Sequence, residues 1–148
     1  MISDQSLYCL ADRFDSLPPT FWNPSWSVSF DYLDVPGMES SGQGIWRRHL
    51  VNNFANLPDG WKIHISSNVS DAPQILDIVA DICIENGVSF KHLTSTAILA
   101  AFSSKWAPRS VAGKFAVLYP PPQCVFDIAQ KLHDALPQRS GPYILSDF

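Results

Sequence analysis

Gly60-Trp61-Lys62-Ile63-His64-Ile65-Ser66 is followed, after Ser67-Asn68-Val69, by Ser70-Asp71-Ala72-Pro73 and then by Ile75, Leu76, Ile78, Val79, Ile82 and Cys83, up to Gly87. The first run alternates, with Ile63 and Ile65 on one side and Lys62 and His64 on the other, which is the period of a strand. The second places its apolar residues at i, i+3, i+4 and i+7, the stripe of an amphipathic helix. Ser70 is the expected cap, Pro73 fits the first turn, and Gly87 is the expected stop.

Working outward, the same alternation repeats. Val88 to Leu93 reads as a short strand, and a helix opens near Thr94 and carries Ile98, Leu99 and Phe102. Residues 105–113 read as a connection. Ala112 to Tyr119 is a third strand that Pro120-Pro121-Pro122 stops, and a helix from about Gln123 to Leu136 follows, with Val125, Phe126, Ala129, Leu132 and Leu136 as its apolar face. Pro142 to Leu145 begins a final strand. Upstream, Trp26 to Asp34 alternates Trp26, Val28, Phe30 and Tyr32 against smaller or polar residues, suggesting a hairpin or edge strand, whereas 35–44 holds Pro36, Gly37, Gly42 and Gly44 and reads as a loop. The fold class predicted is α+β with an α/β-like alternation: one mixed β-sheet, about three packing helices and an irregular or hairpin N-terminal segment. Residues 1–57 form the irregular, aromatic-rich part and 58–148 the β-α-β-α-β-α-β part, within one domain.

The chain has 148 residues, 46% hydrophobic and 16% charged, which suits a folded domain with an ordinary core rather than a disordered segment. Fourteen acids against ten bases give a net charge of −4, unlike the positive surface that nucleic-acid binding needs. The longest apolar runs, such as 97–102, are too short to cross a bilayer, and the N-terminus lacks the basic start of a secretory signal. No nucleic-acid or membrane partner is expected, and a cytoplasmic location is. Cys9, Cys83 and Cys124 match no zinc or redox spacing, and His49, His64, His92 and His133 show no paired spacing and no cysteine or carboxylate partner, so no metal is expected.

The charge is unevenly placed. Between Glu85 and Asp127 lie 41 residues with no acid, and they contain Lys91, Lys105, Arg109 and Lys114. Lys62 and His64 precede them. Asp71, Asp77, Asp81 and Glu85 share one helix and should face water. Cations without neutralising carboxylates can hold a phosphate and lower one another's pKa values, although lysines on strand edges also serve simply to discourage aggregation. A nucleotide loop is excluded at Arg109 to Phe115, because Pro108 stands where the first glycine belongs and Phe115 replaces the magnesium-holding hydroxyl residue.

The ordered set Gly60 to Ser66, Phe90-Lys91, Ser104-Lys105 through Arg109 to Gly113-Lys114-Phe115, Leu118-Tyr119-Pro120 and Gly141-Pro142-Tyr143-Ile144-Leu145-Ser146-Asp147 resembles the N-terminal lyase domain of class III (LanKC-type) lanthipeptide synthetases, over about residues 58–147. That domain is related to the phosphothreonine lyases of bacterial effectors. The resemblance implies a phosphoserine/phosphothreonine lyase that eliminates phosphate from a precursor peptide to give dehydroalanine or dehydrobutyrine. It implies Lys91 as general base, His64 as general acid, Lys62 and Arg109 as phosphate-binding residues, and Lys114 and Lys105 as further candidates for the same role. The family pattern usually carries an arginine directly after the final Ser-Asp or soon after, where this sequence has Phe148. No cofactor is implied. The partners implied are the phosphorylated precursor peptide and kinase and cyclase domains of the same or a partner chain, with this chain an excised domain or a stand-alone lyase.

The chemistry suits those residue types. A carboxylate base would repel a phosphodianion, whereas a lysine among cations is brought toward its neutral, basic form. Lys62 and His64, two apart on a strand, share a face. The alternatives are a module that binds precursor or leader peptide without turning it over, for which Trp22, Trp26, Trp46 and Trp61 would suit peptide contacts, and a docking domain for a kinase partner.

Overall fold

The computed structural model describes residues 24–31, 33–42, 44–52, 60–105, 107–139 and 141–147. Cys9 and Trp22 lie outside them. Strands β1 (Met38–Ser41), β2 (Trp46–Val51), β3 (Ile63–Ile65), β4 (Ser89–Leu93) and β5 (Ala116–Tyr119) form one sheet in the order β1-β2-β4-β5-β3. Helices α1 (Ala72–Asn86), α2 (Thr96–Phe102) and α3 (Val125–Ala135) accompany it, with 3-10 turns at Pro122–Cys124 and Leu145–Asp147. The α+β expectation holds. Every strand pairing is antiparallel, where a mixed sheet was expected.

The apolar stripe of α1 behaves as its spacing predicts: Ile75, Leu76, Val79, Ile82 and Cys83 are buried, and they share one core with Phe90, Leu118, Ile65 and Ala116 of the sheet and with Ile128 and Leu132 of α3. Burying such side chains is worth about 1.5–3 kcal/mol each. Gly87 ends α1 in the left-handed conformation (φ 62°), and its N–H and that of Val88 return to the last turn. The start of α1 differs from expectation, since Asp71 rather than Ser70 occupies the cap and its side chain makes no cap hydrogen bond. Asp77, Asp81 and Glu85 face water, but Asp71 is buried, held by Arg139 (2.8 Å) and Asn68 (2.8 Å). Ser95 caps α2 by accepting from the Ile98 N–H.

Four further readings are corrected. The described residues of 26–34 form no ladder strand beyond a single bridge from Ser29 to Ser95, because their backbone is spent on the start of α2: Thr96 donates to the Val28 carbonyl (3.0 Å) and Phe30 to that of Thr94 (2.6 Å). The expected loop at 35–44 contains β1, which forms a hairpin with β2. The third strand begins at Ala116 rather than Ala112, since 109–113 is a run of turns in which Gly113 takes φ 78°. Pro142 to Leu145 joins no sheet and leads instead into the 3-10 turn at Leu145–Asp147.

Under the sheet, His49 and His92 lie fully buried and stacked, with their Nε2 atoms 2.8 Å apart. The proton positions follow from the partners. The Leu93 carbonyl only accepts, so His92 Nδ1 carries a hydrogen and donates to it (2.8 Å). His92 Nε2 must then accept from His49 Nε2–H, and His49 Nδ1 accepts from the Ser40 hydroxyl (2.7 Å), whose oxygen takes the Val35 N–H (3.2 Å). The donors run in this direction because both rings are neutral near pH 7. Burial holds each far below the usual imidazole range, at about 4. No sequence spacing announces this pair, because the two histidines lie 43 residues apart on strands that the sheet sets side by side.

Candidate functional site

The strand registers place the candidates. Arg48 pairs with Lys91, Lys91 with Val117, and Val117 with His64, so these four residues form one row across β2, β4, β5 and β3. Directly paired residues share a face, and this row faces away from the row of His49, Phe90, Leu118 and Ile63. Lys91 and His64 stand two strands apart, about 10 Å between backbones, with only Val117 between them. Lys62, two residues before His64 and just outside the ladder, is close enough for its charge to act on Lys91. Arg48, Lys91 and His64 thus share one face of the sheet, and Phe90, Leu118 and Ile63 the other.

Lys91 is half-buried, and its ammonium sits 4.4 Å above the ring of Trp46, which in turn packs edge-on against Phe102 of α2. Its pKa is lowered, first by burial and then by the charges of Arg48, Lys62 and Lys114. No carboxylate offsets them: among the described residues the ion pairs are Arg47–Asp34, His64–Asp147, Lys131–Asp127 and Arg139–Asp71, and Arg48, Lys62, Lys91 and Lys114 take part in none. Burial pushes the Tyr119 phenol up, with Arg48 opposing, so the hydroxyl keeps its proton near neutral pH.

His64 has the carboxylate partner that the sequence did not reveal. Its Nδ1 lies 2.7 Å from Asp147 Oδ1, 83 residues away. A carboxylate only accepts, so Nδ1 donates and Nε2 is the nitrogen left for another group. The turn at Leu145–Asp147 is brought there by a close backbone approach. A Cβ on Gly113 would stand 2.3 Å from the Tyr143 carbonyl oxygen, so only glycine allows 143–147 to lie against the turn before β5.

The RamC N-terminal domain model matches residues 29–148. The chain belongs to the RamC N-terminal domain family. It is also 35% identical over 111 residues to a probable SapB synthase of Streptomyces coelicolor, an alignment that takes in 69% of this chain and 12% of that protein. This RamC N-terminal domain therefore spans a small part of the length of the curated relative it matches.

Within this family member the fold brings together Lys62, His64, Lys91 and Lys114. Lys105 and Arg109 lie exposed in the turns between α2 and β5, and each has interactions of its own. Arg48 and Asp147 escaped sequence reasoning, and Trp46, weighed there for peptide contacts, gave no sign of its place under Lys91. Arg48 and Trp46 lie on β2, whose residues Trp46-Arg47-Arg48-His49-Leu50-Val51 show no alternation between apolar and polar, and Asp147 acts from a turn. The Ser146-Asp147 ending was visible as a motif, but nothing in it pointed to His64.

A pocket of about 240 Å³ opens beside His64, lined by Ser66, Asn68, Asp71, Arg139 and Gly141 among others. No group of three or more metal-ligating side chains occurs among the described residues, and no helix there is long and apolar enough to cross a membrane.

Proposed function

We propose that this chain is a phosphoserine/phosphothreonine lyase domain that acts on a phosphorylated precursor peptide during lanthipeptide biosynthesis, a carbon–oxygen lyase working without a cofactor. The observation that carries the reading is the cluster of Lys91 with Arg48, Lys62 and Lys114, none of them in an ion pair among the described residues, with His64 in the same row as Lys91. Such a face suits a phosphate dianion. In this reading neutral Lys91 takes the α-proton, the electron pair forms the Cα=Cβ bond, and the Cβ–O bond breaks. The departing phosphate receives a proton from His64 Nε2, whose ring Asp147 holds by the other nitrogen. Lys62, Lys114 and Arg109 bind the phosphate, with Lys105 at the margin. Dehydroalanine arises from phosphoserine and dehydrobutyrine from phosphothreonine, each with inorganic phosphate.

The peptide would come from a kinase domain and pass to a cyclase domain, on the same chain or a partner, in the cytoplasm. A second reading, a peptide-binding module without turnover, draws on the exposure of Trp61 (60%) next to Lys62 and of Tyr143 (80%) on the segment leading to Asp147. Incubation with a phosphoserine peptide separates them. The lyase removes about 98 Da as phosphoric acid and leaves an alkene that adds a thiol, a phosphatase returns plain serine, and a binding module leaves the peptide unchanged.

A further inference from the structure

The two neighbouring arginines of β2 have opposite fates. Arg47 is fully engaged: it donates to the carbonyls of Leu33 (3.2 Å) and Gly42 (3.0 Å) and pairs with Asp34 at 2.6 Å. Arg48, on the other face, is exposed and has no hydrogen bond or ion pair among the described residues. It stands directly opposite Lys91 in the β2–β4 register. Like charges paired across strands at about 5 Å between Cβ atoms are unfavourable, and the acid on that face of the neighbouring strand, Glu39, paired with Leu50 and so diagonal to Arg48, forms no ion pair with it. An anion bridging Arg48 and Lys91 removes the conflict.

We propose that Arg48 is a further ligand of the substrate phosphate, gripping it across the strand pair from Lys91. The inference rests on the lyase reading and extends it to a residue outside the segment, 58–147, that carries the resemblance. A guanidinium presents two parallel N–H groups to phosphate oxygens and stays charged at any working pH. That permanence matters chemically. A phosphate dianion arriving beside Lys91 draws that amine toward ammonium, the form that cannot take a proton. Arg48 offsets the incoming charge at the closest register position, so the base keeps access to its neutral form with substrate bound. Trp46, two residues earlier on the same face, holds the ammonium over its ring before that proton is lost.

The test compares wild type, Arg48→Gln and Arg48→Lys, with Lys131→Gln, an exposed residue on α3, as control. Two readouts are independent of turnover: inorganic phosphate affinity from amide shifts in NMR titration, and the midpoint of Lys91 acetylation against pH, read by peptide mass spectrometry in saturating phosphate. Arg48→Gln is expected to weaken phosphate binding about tenfold and raise the Lys91 midpoint by about half a pH unit or more. Arg48→Lys restores most of the midpoint but not the full affinity, and Lys131→Gln changes neither. Phosphate affinity unchanged in Arg48→Gln overturns the proposal. A wild-type protein that shows these effects yet eliminates no phosphate from peptide leaves Arg48 as an anion ligand and removes the lyase reading alone.

Discussion

Acidification should unfold this domain through two histidines on the face of the sheet opposite its candidate site. His49 and His92 are neutral in the fold, with pKa values near 4 against about 6.5 when unfolded. A depressed folded value means that the unfolded chain binds more protons, so the stability is fully present above about pH 6.5 and drains away as pH falls toward 4. At pH 5 a histidine with these values has lost about 2 kcal/mol, and the pair up to about 4. Against a typical 5–15 kcal/mol for a domain, that is a large share. Urea unfolding followed by tryptophan fluorescence at pH 7.5 and pH 5 measures it. The triple variant Ser40→Ala/His49→Phe/His92→Phe removes every side-chain member of the chain and should lose correspondingly less on acidification, with His64, His133 and the carboxylates present in both proteins. Equal losses in wild type and variant, within about 0.5 kcal/mol, refute the assignment of two neutral rings. The single variant His92→Leu offers a check on the direction of the bonds. It strands the His49 Nε2–H in the core and should cost about 1–3 kcal/mol beyond the packing change, even at pH 7.5.

Other consequences concern the site. Lys91→Ala should abolish turnover while leaving phosphopeptide affinity within a few-fold of wild type, as measured by fluorescence anisotropy. Asp147→Asn keeps the shape but can present an N–H to His64, and kcat should fall at least about tenfold with little change in KM, whereas equal kcat would remove Asp147 from the mechanism. Arg109→Ala should act mainly on KM. Gly113→Ala meets the Tyr143 carbonyl and a φ of 78°, so thermal unfolding should show a loss of at least about 1–3 kcal/mol, accompanied by reduced turnover as the turn bearing Asp147 shifts.

The C-terminal two-thirds of the fold was legible because its elements are periodic. The alternation at 61–66, the stripe from Ile75 to Cys83 and the glycine at 87 each state one local structure, and the fold agrees with all three. β1 and β2 were not legible: Met38-Glu39-Ser40-Ser41 has no apolar rhythm, and β2 buries a histidine where alternation calls for an aliphatic residue. Ala112 and Gly113, part of the turns at 109–113, read as strand only because the alternation from Lys114 to Tyr119 extends backward past Gly113.

For the site, the acid-free window announced cations but not their assembly. Lys62 and Lys91 converge only through the pairing of β3, β4 and β5, and Lys114 joins them from the turn before β5. Arg48 joins them through β2, a strand whose sequence gave no sign of it. His64 and Asp147, like His49 and His92, meet across separations that local patterning does not reach. Chemistry-bearing residue types were readable one by one, whereas partnerships belong to the sheet.

The central claim is elimination by Lys91 on this face, and one measurement addresses it directly. A phosphoserine peptide is incubated with wild-type chain and with Lys91→Ala, followed by a thiol, and the products are weighed. The account predicts loss of about 98 Da and a thiol adduct with wild type only. Recovery of serine, an unchanged peptide with wild type, or equal elimination by both proteins would contradict it.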